Sequence, residues 1–436
     1  MIETHLDELI ESFEVPDDPD AGIPGFVEKE FRAFLACGVL ERGFIRLFCD
    51  RCQHEHALPF SCKGRAICPS CGARRMASTA QHLVDRVLPL DVPIRQYVVS
   101  PPFELRGLLA CKSEVLTKLG QVFVRAIFRT MKKWARDAGE ADPQCGAVVA
   151  IQRFTKTLGV APHLHVLVVD GVFVSNDDGD DLRFVAAPVP TASALAAIAE
   201  EVCVKLTRYL QKAGFISADA EDGNVTPADK WFLRGLAEPS MFTGPRIVGS
   251  GIEHGGFNVH ASVTVDKDDR EGLERLCRYV TRPAFAEEQL CVEPDGRVQL
   301  TLRSPTRSGQ RAIHLEPLAF LRRLAWLVPP PGRHQIRYMG ILAAAAKDRA
   351  KVVPCPPVAI QFAFPIDNAR PQRVSFRPSW CALLARVYDI DAERCPKCGG
   401  RLRPIGAVRD PDEATRHLDR QRRAQARAPP QLSLQF

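Results

Sequence analysis

The stretch GVAPHLHVLVVDG, residues 159–171, places His163 and His165 two apart inside a run of β-branched and apolar residues. Residues two apart in a strand share a face, so both imidazoles leave the same side of a segment that otherwise reads as buried. One histidine in such a strand is commonly a core residue with satisfied nitrogens. Two on one face of a Val-rich strand fit a shared metal ion. The preceding strand, GAVVAIQRF (146–154), joined through TKTLGVA as a hairpin, carries Gln152, whose amide oxygen would complete a three-ligand set with the two imidazoles. Such a set leaves positions for water and phosphate, which suits Mg²⁺ or Mn²⁺ acting as a Lewis acid. His260, in FNVHASVTV (257–265), is the alternative third ligand.

Outward from this hairpin, IRQYVVS (94–100) alternates as a strand and stops at Pro101-Pro102. From Lys112 to Asp137, Leu116, Leu119, Val122, Phe123, Ala126, Ile127, Thr130 and Trp134 recur at helical spacing. TASALAAIAEEVCVKLTRYLQKAG predicts a helix ending at Gly214, and DDREGLERLCRYVT a helix with Asp268 and Glu271 as a capping box. The order strand, long helix, strand, strand, helix, strand, helix predicts an α+β fold, an antiparallel sheet with its helices on one side. Residues 1–25 read as a loosely ordered lead-in, and the forty after Gly214 as an insertion or a flexible excursion. The segment 329–378 is too Pro-rich to assign, and the Arg- and Pro-rich tail from 401 reads as partly disordered. The expected boundaries are 1–92 for the lead-in and a zinc module, 93–328 for the sheet domain and 329–436 for a C-terminal extension.

The chain has 15 cysteines, an odd number, and C-x-x-C is the clear spacing rule among them. That argues for a reducing, cytoplasmic setting and for metal, not disulfides. FCDRCQHEHALPFSCKGRAICPSCGARR (48–75) contains Cys49-x2-Cys52 and Cys68-x2-Cys71, the spacing of a tetrahedral structural zinc, with Cys62, His54 and His56 in the loop as substitutes. Lys63, Arg65, Arg74 and Arg75 form a basic rim suited to phosphate. RCPKCGGRLRP (394–404) holds a further pair, Cys395 and Cys398, with Cys381, Cys355 or His417 as completing ligands if it binds metal.

A divalent ion beside a polyanion raises the question of a nucleophile. Of the tyrosines 97, 209, 279, 338 and 388, Tyr279 stands in LERLCRYVTRP among Arg275, Arg278 and Arg282, cations that would orient a phosphate and favour the phenolate. A helix tyrosine with its ring in the core and its hydroxyl at the surface is the plainer alternative.

Together these residues resemble the HUH single-strand endonucleases, and closely the rolling-circle transposases of bacterial insertion sequences and common-region elements. FSCKGRAICPSCGARRM, PHLHVLVVDGVF, GFNVHASVTVDKDDREGLERLCRYVTRPAFA and RCPKCGG carry the resemblance, in the family's order across most of the chain. It implies a ferredoxin-like sheet with the HUH strand at its centre and attack of Tyr279 on a DNA phosphodiester, assisted by Mg²⁺ or Mn²⁺. The products are a 5′-phosphotyrosine and a free 3′-hydroxyl. It further implies structural Zn²⁺, DNA contacts from Arg74, Arg75, Arg278 and Arg282, and single-stranded or hairpin element ends as substrate. Some relatives carry a second tyrosine four residues before the first. Arg275 stands there in this chain, which resembles the single-tyrosine branch, so a second strand exchange would need water, a 3′-hydroxyl or another protomer of a homo-oligomer.

Two other function classes compete. A zinc hydrolase or deaminase needs a glutamate beside the histidines, as in H-x-E or H-E-x-x-H, and H-L-H has none. A zinc-finger DNA-binding protein without catalysis explains Cys49 to Cys71 but not the histidine strand or the tyrosine helix. The net charge of +6 permits a polyanionic partner without demanding one. No apolar run reaches membrane-span length, and the acidic start has no signal-peptide pattern.

Overall fold

A computed structural model of the protein describes residues 1–14, 22–176, 181–215, 251–306, 308–354 and 393–427. In chain order, helices α1 (Ile2–Glu11) and α2 (Gly25–Leu35) precede strands β1 (Phe44–Cys49) and β2 (Glu55–Pro59) and helix α3 (Pro69–Arg86). Then come β3 (Ile94–Ser100), α4 (Arg106–Cys111), α5 (Ser113–Asp137), β4 (Gly146–Phe154), β5 (Val160–Val169), β6 (Gly171–Ser175), β7 (Leu182–Ala186) and α6 (Ala192–Lys212). After them follow β8 (Ile252–His254), β9 (Phe257–Val265), α7 (Arg270–Thr281), β10 (Leu290–Val292), β11 (Val298–Thr301), β12 (Ala312–Leu315), α8 (Pro317–Leu327), β13 (Ile336–Gly340), α9 (Arg349–Val352), β14 (Leu402–Val408) and α10 (Pro411–Arg427).

The central sheet runs β13-β4-β5-β3-β9-β8, with every neighbouring pair antiparallel. Within it β3-α5-β4-β5-α6-β9 is the ferredoxin-like βαββαβ unit, and the histidine strand β5 is interior. α5 buries Leu116, Leu119, Val122, Phe123, Ala126 and Ile127 along one stripe. With Ile198, Val202 and Leu206 of α6 it covers the sheet face formed by Val99, Val149, Leu164, Val166 and Val259. The expectation of helices on one side does not hold. α3 and α7 cover the opposite face, packing Leu83, Val84, Leu273, Leu276 and Val280 on Ile94, Val148, Ala150, Leu167 and Val169. The reason lies in β4 and β5, which are apolar at nearly every position and not only at alternate ones, as strands covered on both faces must be.

The described parts of both termini are built into the fold, and 15–21 and 428–436 lie outside the described residues. The lead-in forms α1, whose Leu6 and Leu9 join Val27 and Phe31 of α2 against Phe320, Leu321 and Leu324 of α8. Phe13 meets Trp326 edge-on at 5.6 Å. The tail from 401 supplies β14, which pairs with β1 from Phe44↔Val408 to Cys49↔Leu402, and α10, whose Ala414 and Leu418 pack on Phe44. Residues 402–408 therefore belong to the N-terminal sheet β14-β1-β2. β13 extends the central sheet past 328, and α3, before 92, packs on that sheet. The cap of α7 is Asp269, which accepts from the Gly272 N–H at 2.7 Å, and not Asp268. The core of the expected insertion, 216–250, lies outside the described residues, as does 355–378 of the Pro-rich segment.

One buried ion pair crosses the sheet. Arg95 of β3 donates through Nε and Nη2 to Asp170 at 2.8 and 2.7 Å, and through Nη1 to the Ala261 carbonyl of β9 at 3.1 Å. Both side chains are under 10 % exposed. Removing one partner leaves the other charged and buried, which commonly costs about 3–5 kcal/mol. Asp170→Ala is expected to lower unfolding free energy by about that much in urea titrations. A loss under about 1 kcal/mol, the range of exposed pairs, would show that water reaches Arg95.

Candidate active site and zinc module

The register of four strands gathers the polar residues on the face beneath α7. Gln152 of β4 lies opposite His163 of β5. Val98 of β3 lies opposite His165 on one side and His260 of β9 on the other. The rings of His163 and His165 are 5.0 Å apart. The Nδ1 of His163 donates to the Ala161 carbonyl at 2.8 Å, which places the free lone pair on its Nε2. The Nδ1 of His165 lies 2.7 Å from Gln96 Nε2; with the Gln96 amide turned so that its oxygen accepts from Nδ1, the free lone pair falls on His165 Nε2, which is buried without a protein partner among the described residues. The same is true of Gln152 Oε1 and of His260 Nδ1.

Burial drives all three histidines toward the neutral form. His163 is pushed down to about 4, by burial first and then by the Arg282 and Arg106 cations. His165 falls well below its ordinary value for the same first reason, with His163 and Arg282 adding to it. His260 is lowered by burial alone. Neutral imidazoles with buried, unpartnered nitrogens, beside an unpartnered amide oxygen, are a donor set that fits a divalent cation. His163, His165 and His260 do not close into one compact trio, because the metal-sized groups of His, Cys, Asp and Glu among the described residues are both made of cysteines.

α7 brings Tyr279 to this face. Leu273, Leu276, Cys277 and Val280 bury at helical spacing and seat the helix on the sheet. Gln152 fixes its end: Nε2 donates to the carbonyls of Tyr279 at 2.9 Å and Val280 at 3.1 Å, two of the groups a helix C-terminus leaves unpaired. The Tyr279 ring meets His165 edge-on at 5.6 Å, and the Arg282 guanidinium lies 4.5 Å over it. The tyrosine is nonetheless 45 % exposed. Arg278 pairs with Glu274 at 2.8 Å and Arg275 with Glu271 at 3.5 Å, so neither reaches over the ring as Arg282 does.

The other tyrosines lie elsewhere. Tyr97 is buried in the core under α5, Tyr209 of α6 lies under the Lys118 ammonium of α5, and Tyr338 is on the edge strand β13. Tyr388 falls outside the described residues. A cleft of about 120 Å³ opens beside the site, with Arg65, Arg75, Gln152, Arg282 and Gln335 in its wall. α3 reaches it because Gly72 passes so close to Pro283 that a Cβ would sit 2.9 Å from the proline ring.

The cysteines form two quartets, not the single site spanning both N-terminal pairs. Cys68 and Cys71 join Cys37 and Cys62, while Cys49 and Cys52 join Cys395 and Cys398. In each quartet the four sulfurs lie within 4.8 Å of one another. Cys37 was not a sequence candidate. It follows α2, just before Gly38 at positive φ, and a single cysteine outside any C-x-x-C pair gives no spacing signal. Glu30 of α2 draws the loop in by accepting the N–H groups of Arg65, Ala66 and Ile67. Thiol hydrogen bonds, from Cys37 foremost, drive Cys71 far down, and Arg74 adds to this, donating to its sulfur at 3.1 Å. Arg74 and Arg75 thus serve the loop itself, the latter through the Lys63 carbonyl at 2.6 Å. Of the loop substitutes, Cys62 is in the first quartet, His56 Nε2 is 3.4 Å from Cys395 Sγ, and His54 meets His56 edge-on. Of the completing ligands for Cys395 and Cys398, His417 instead bonds Glu55 at 3.0 Å. Cys355 and Cys381 lie outside the described residues.

No helix among the described residues is long and apolar enough to cross a membrane. No curated protein and no solved structure matches the chain. Two family models do. Residues 2–100 match the family described as "Transposase zinc-binding domain", and residues 146–350 the family described as "Putative transposase". The first contains the Cys37–Cys71 quartet, and the second β4, β5 and α7 with Gln152, both histidines and Tyr279. The chain belongs to the family of transposases that join an N-terminal zinc-binding domain to a transposase domain, and is a DNA-processing enzyme.

Proposed function

We propose that the protein nicks and rejoins single-stranded DNA at the ends of a mobile element, in rolling-circle-type transposition, with Tyr279 as nucleophile. The observation that carries this reading is the tyrosine ring held against His165 and under Arg282, on a helix clamped to the histidine strands by Gln152. In the forward step the Tyr279 oxygen bonds to the scissile phosphorus, the bond to the 3′ oxygen breaks, and the phenolic proton passes to solvent. The leaving oxygen takes up a proton as the 3′-hydroxyl, and attack of a 3′-hydroxyl on the phosphotyrosine reverses the step. Arg282, over the tyrosine ring, orients the phosphate. Gln96 and the Ala161 carbonyl hold the two imidazoles in place. His163, His165 and Gln152 would hold Mg²⁺ or Mn²⁺, which when bound supplies Lewis-acid polarisation of the phosphate. Gln152 is favoured over His260 as third ligand because it faces His163 on the adjacent strand, while His260 stands beyond Val98. Arg65 and Arg75 of the zinc module line the cleft wall, where a DNA strand would pass. Structural zinc in this module is assigned to Cys37, Cys62, Cys68 and Cys71.

Three measurements test the reading. Tyr279→Phe is expected to abolish the covalent protein–DNA adduct on denaturing gels with labelled single-stranded DNA while leaving DNA binding intact. An adduct formed by the Phe variant would move the nucleophile elsewhere.

His163→Ala and His165→Ala are each expected to lower cleavage in Mg²⁺ by a hundredfold or more, about 3 kcal/mol in the barrier, with part of the activity returning in excess Mn²⁺. Gln152→Ala should cut cleavage less deeply. Unchanged activity per folded molecule, with only a lower melting temperature, would assign the histidines to packing. A larger loss in His260→Ala than in Gln152→Ala would move the third ligand to β9.

Cys37→Ser is expected to release as much zinc as Cys71→Ser and to weaken DNA binding, since structural zinc supplies much of the folding free energy of such small modules. Full zinc retention in Cys37→Ser would return the site to another ligand set.

A further inference from the structure

Cys395 and Cys398 lie outside both matched domains, yet the fold carries them back to the start of the chain. Cys49 Sγ is 3.5 Å from Cys398 Sγ, and Cys52 Sγ is 3.5 Å from Cys395 Sγ. The two pairs sit on turns of the same design. In the first, the Cys49 N–H donates to the His54 carbonyl at 2.9 Å, and the Gln53 N–H to the Cys49 carbonyl at 2.8 Å. In the second, the Cys395 N–H donates to the Gly400 carbonyl at 2.7 Å, and the Gly399 N–H to the Cys395 carbonyl at 2.8 Å. The residue after each pair takes positive φ, Gln53 at 54° and Gly399 at 70°. Two like turns present their sulfurs to one point from opposite sides, with Leu47 and Leu402 packed beneath. Gly400 has no side chain to block the approach: a Cβ there would lie 3.0 Å from Cys49 Sγ.

We infer that Cys49, Cys52, Cys395 and Cys398 bind a second Zn²⁺, separate from the Cys37–Cys71 quartet, and that this ion ties the C-terminal segment to the N-terminal module. Four thiolates form a closed tetrahedral set with no open position, the pattern of a structural and not a catalytic zinc. Four thiolates on one dication leave negative charge, and the surroundings answer it. His56 Nε2 lies against Cys395 Sγ, and Arg51 spans the two turns to the Cys398 carbonyl at 3.2 Å. The β1–β14 ladder continues from the site, so the N-terminal sheet is complete only once residues 393–427 have docked. A clip that closes so long a loop stabilises what it closes by more than a short one would. The protein therefore has one zinc within the N-terminal module and one that joins its two ends.

The test uses the purified full-length chain. Metal analysis should give two zinc ions per chain, falling to one in the Cys395→Ser/Cys398→Ser variant. In the unsubstituted protein, Cys49, Cys52, Cys395 and Cys398 should resist N-ethylmaleimide together, then become reactive as a set when a chelator removes one zinc equivalent. Retention of both zinc ions by the double variant would overturn the inference. So would alkylation of Cys395 and Cys398 in zinc-replete protein while Cys49 and Cys52 stay protected, or a Cys49–Cys398 disulfide in the peptide map.

Discussion

The register of β4, β5, β3 and β9 is the constraint on which the rest depends. Side chains alternate with a period of two, so a slip of one residue in β5 would turn His163 and His165 to the α5–α6 face and bury them among Val99, Val149 and Val259. Apolar side chains pin the register from both sides. Leu164, Val166 and Val168 must face α5, and Leu167 and Val169 must face α3 and α7. The backbone ladder then sets Gln152 opposite His163, and Val98 between His165 and His260. The two bulges, between Gln96 and Val98 and between Gln152 and Phe154, fall at the edge of this polar patch, where strands are commonly re-aimed near sites.

Gln152 shows how one buried amide serves two structures. Its nitrogen caps the carbonyls of α7, and its oxygen is left buried and unpaired on the histidine side. An unpaired buried acceptor costs on the order of 1–3 kcal/mol, and it is tolerated where a site requires it. The same dehydration keeps the histidines neutral, because a charged imidazole in that position would lack both water and a carboxylate. Arg282 contributes to this and also lies over the tyrosine, so one cation faces both the histidines and the Tyr279 ring.

The zinc module is positioned by what surrounds it. Its helix α3 lies on the central sheet beside α7, and Gly72 allows the close approach to Pro283. The cleft between them draws residues from α3, β4 and the end of α7, so the two matched domains meet at the Tyr279 site.

The sequence by itself determined the local elements and the candidate side chains on them. The strands 94–100, 146–154 and 257–265 have the bounds that their patterns predict, as does the stripe of α5. The two histidines share a face because strand geometry is local. Tyr279 was singled out by its arginines, although only Arg282 reaches its ring, since Arg275 and Arg278 pair with glutamates one turn away. Tertiary structure decided the rest. Which sulfurs share an ion depends on chain folding over hundreds of residues, and C-x-x-C spacing fixes only the two members of each half-site. Cys37 has no partner nearby in sequence, and Cys395 meets Cys52 only because β14 adds to β1. The second covering of the sheet and the docking of both termini likewise come from burying apolar surface against distant segments, a demand that local periodicity records without naming the partner.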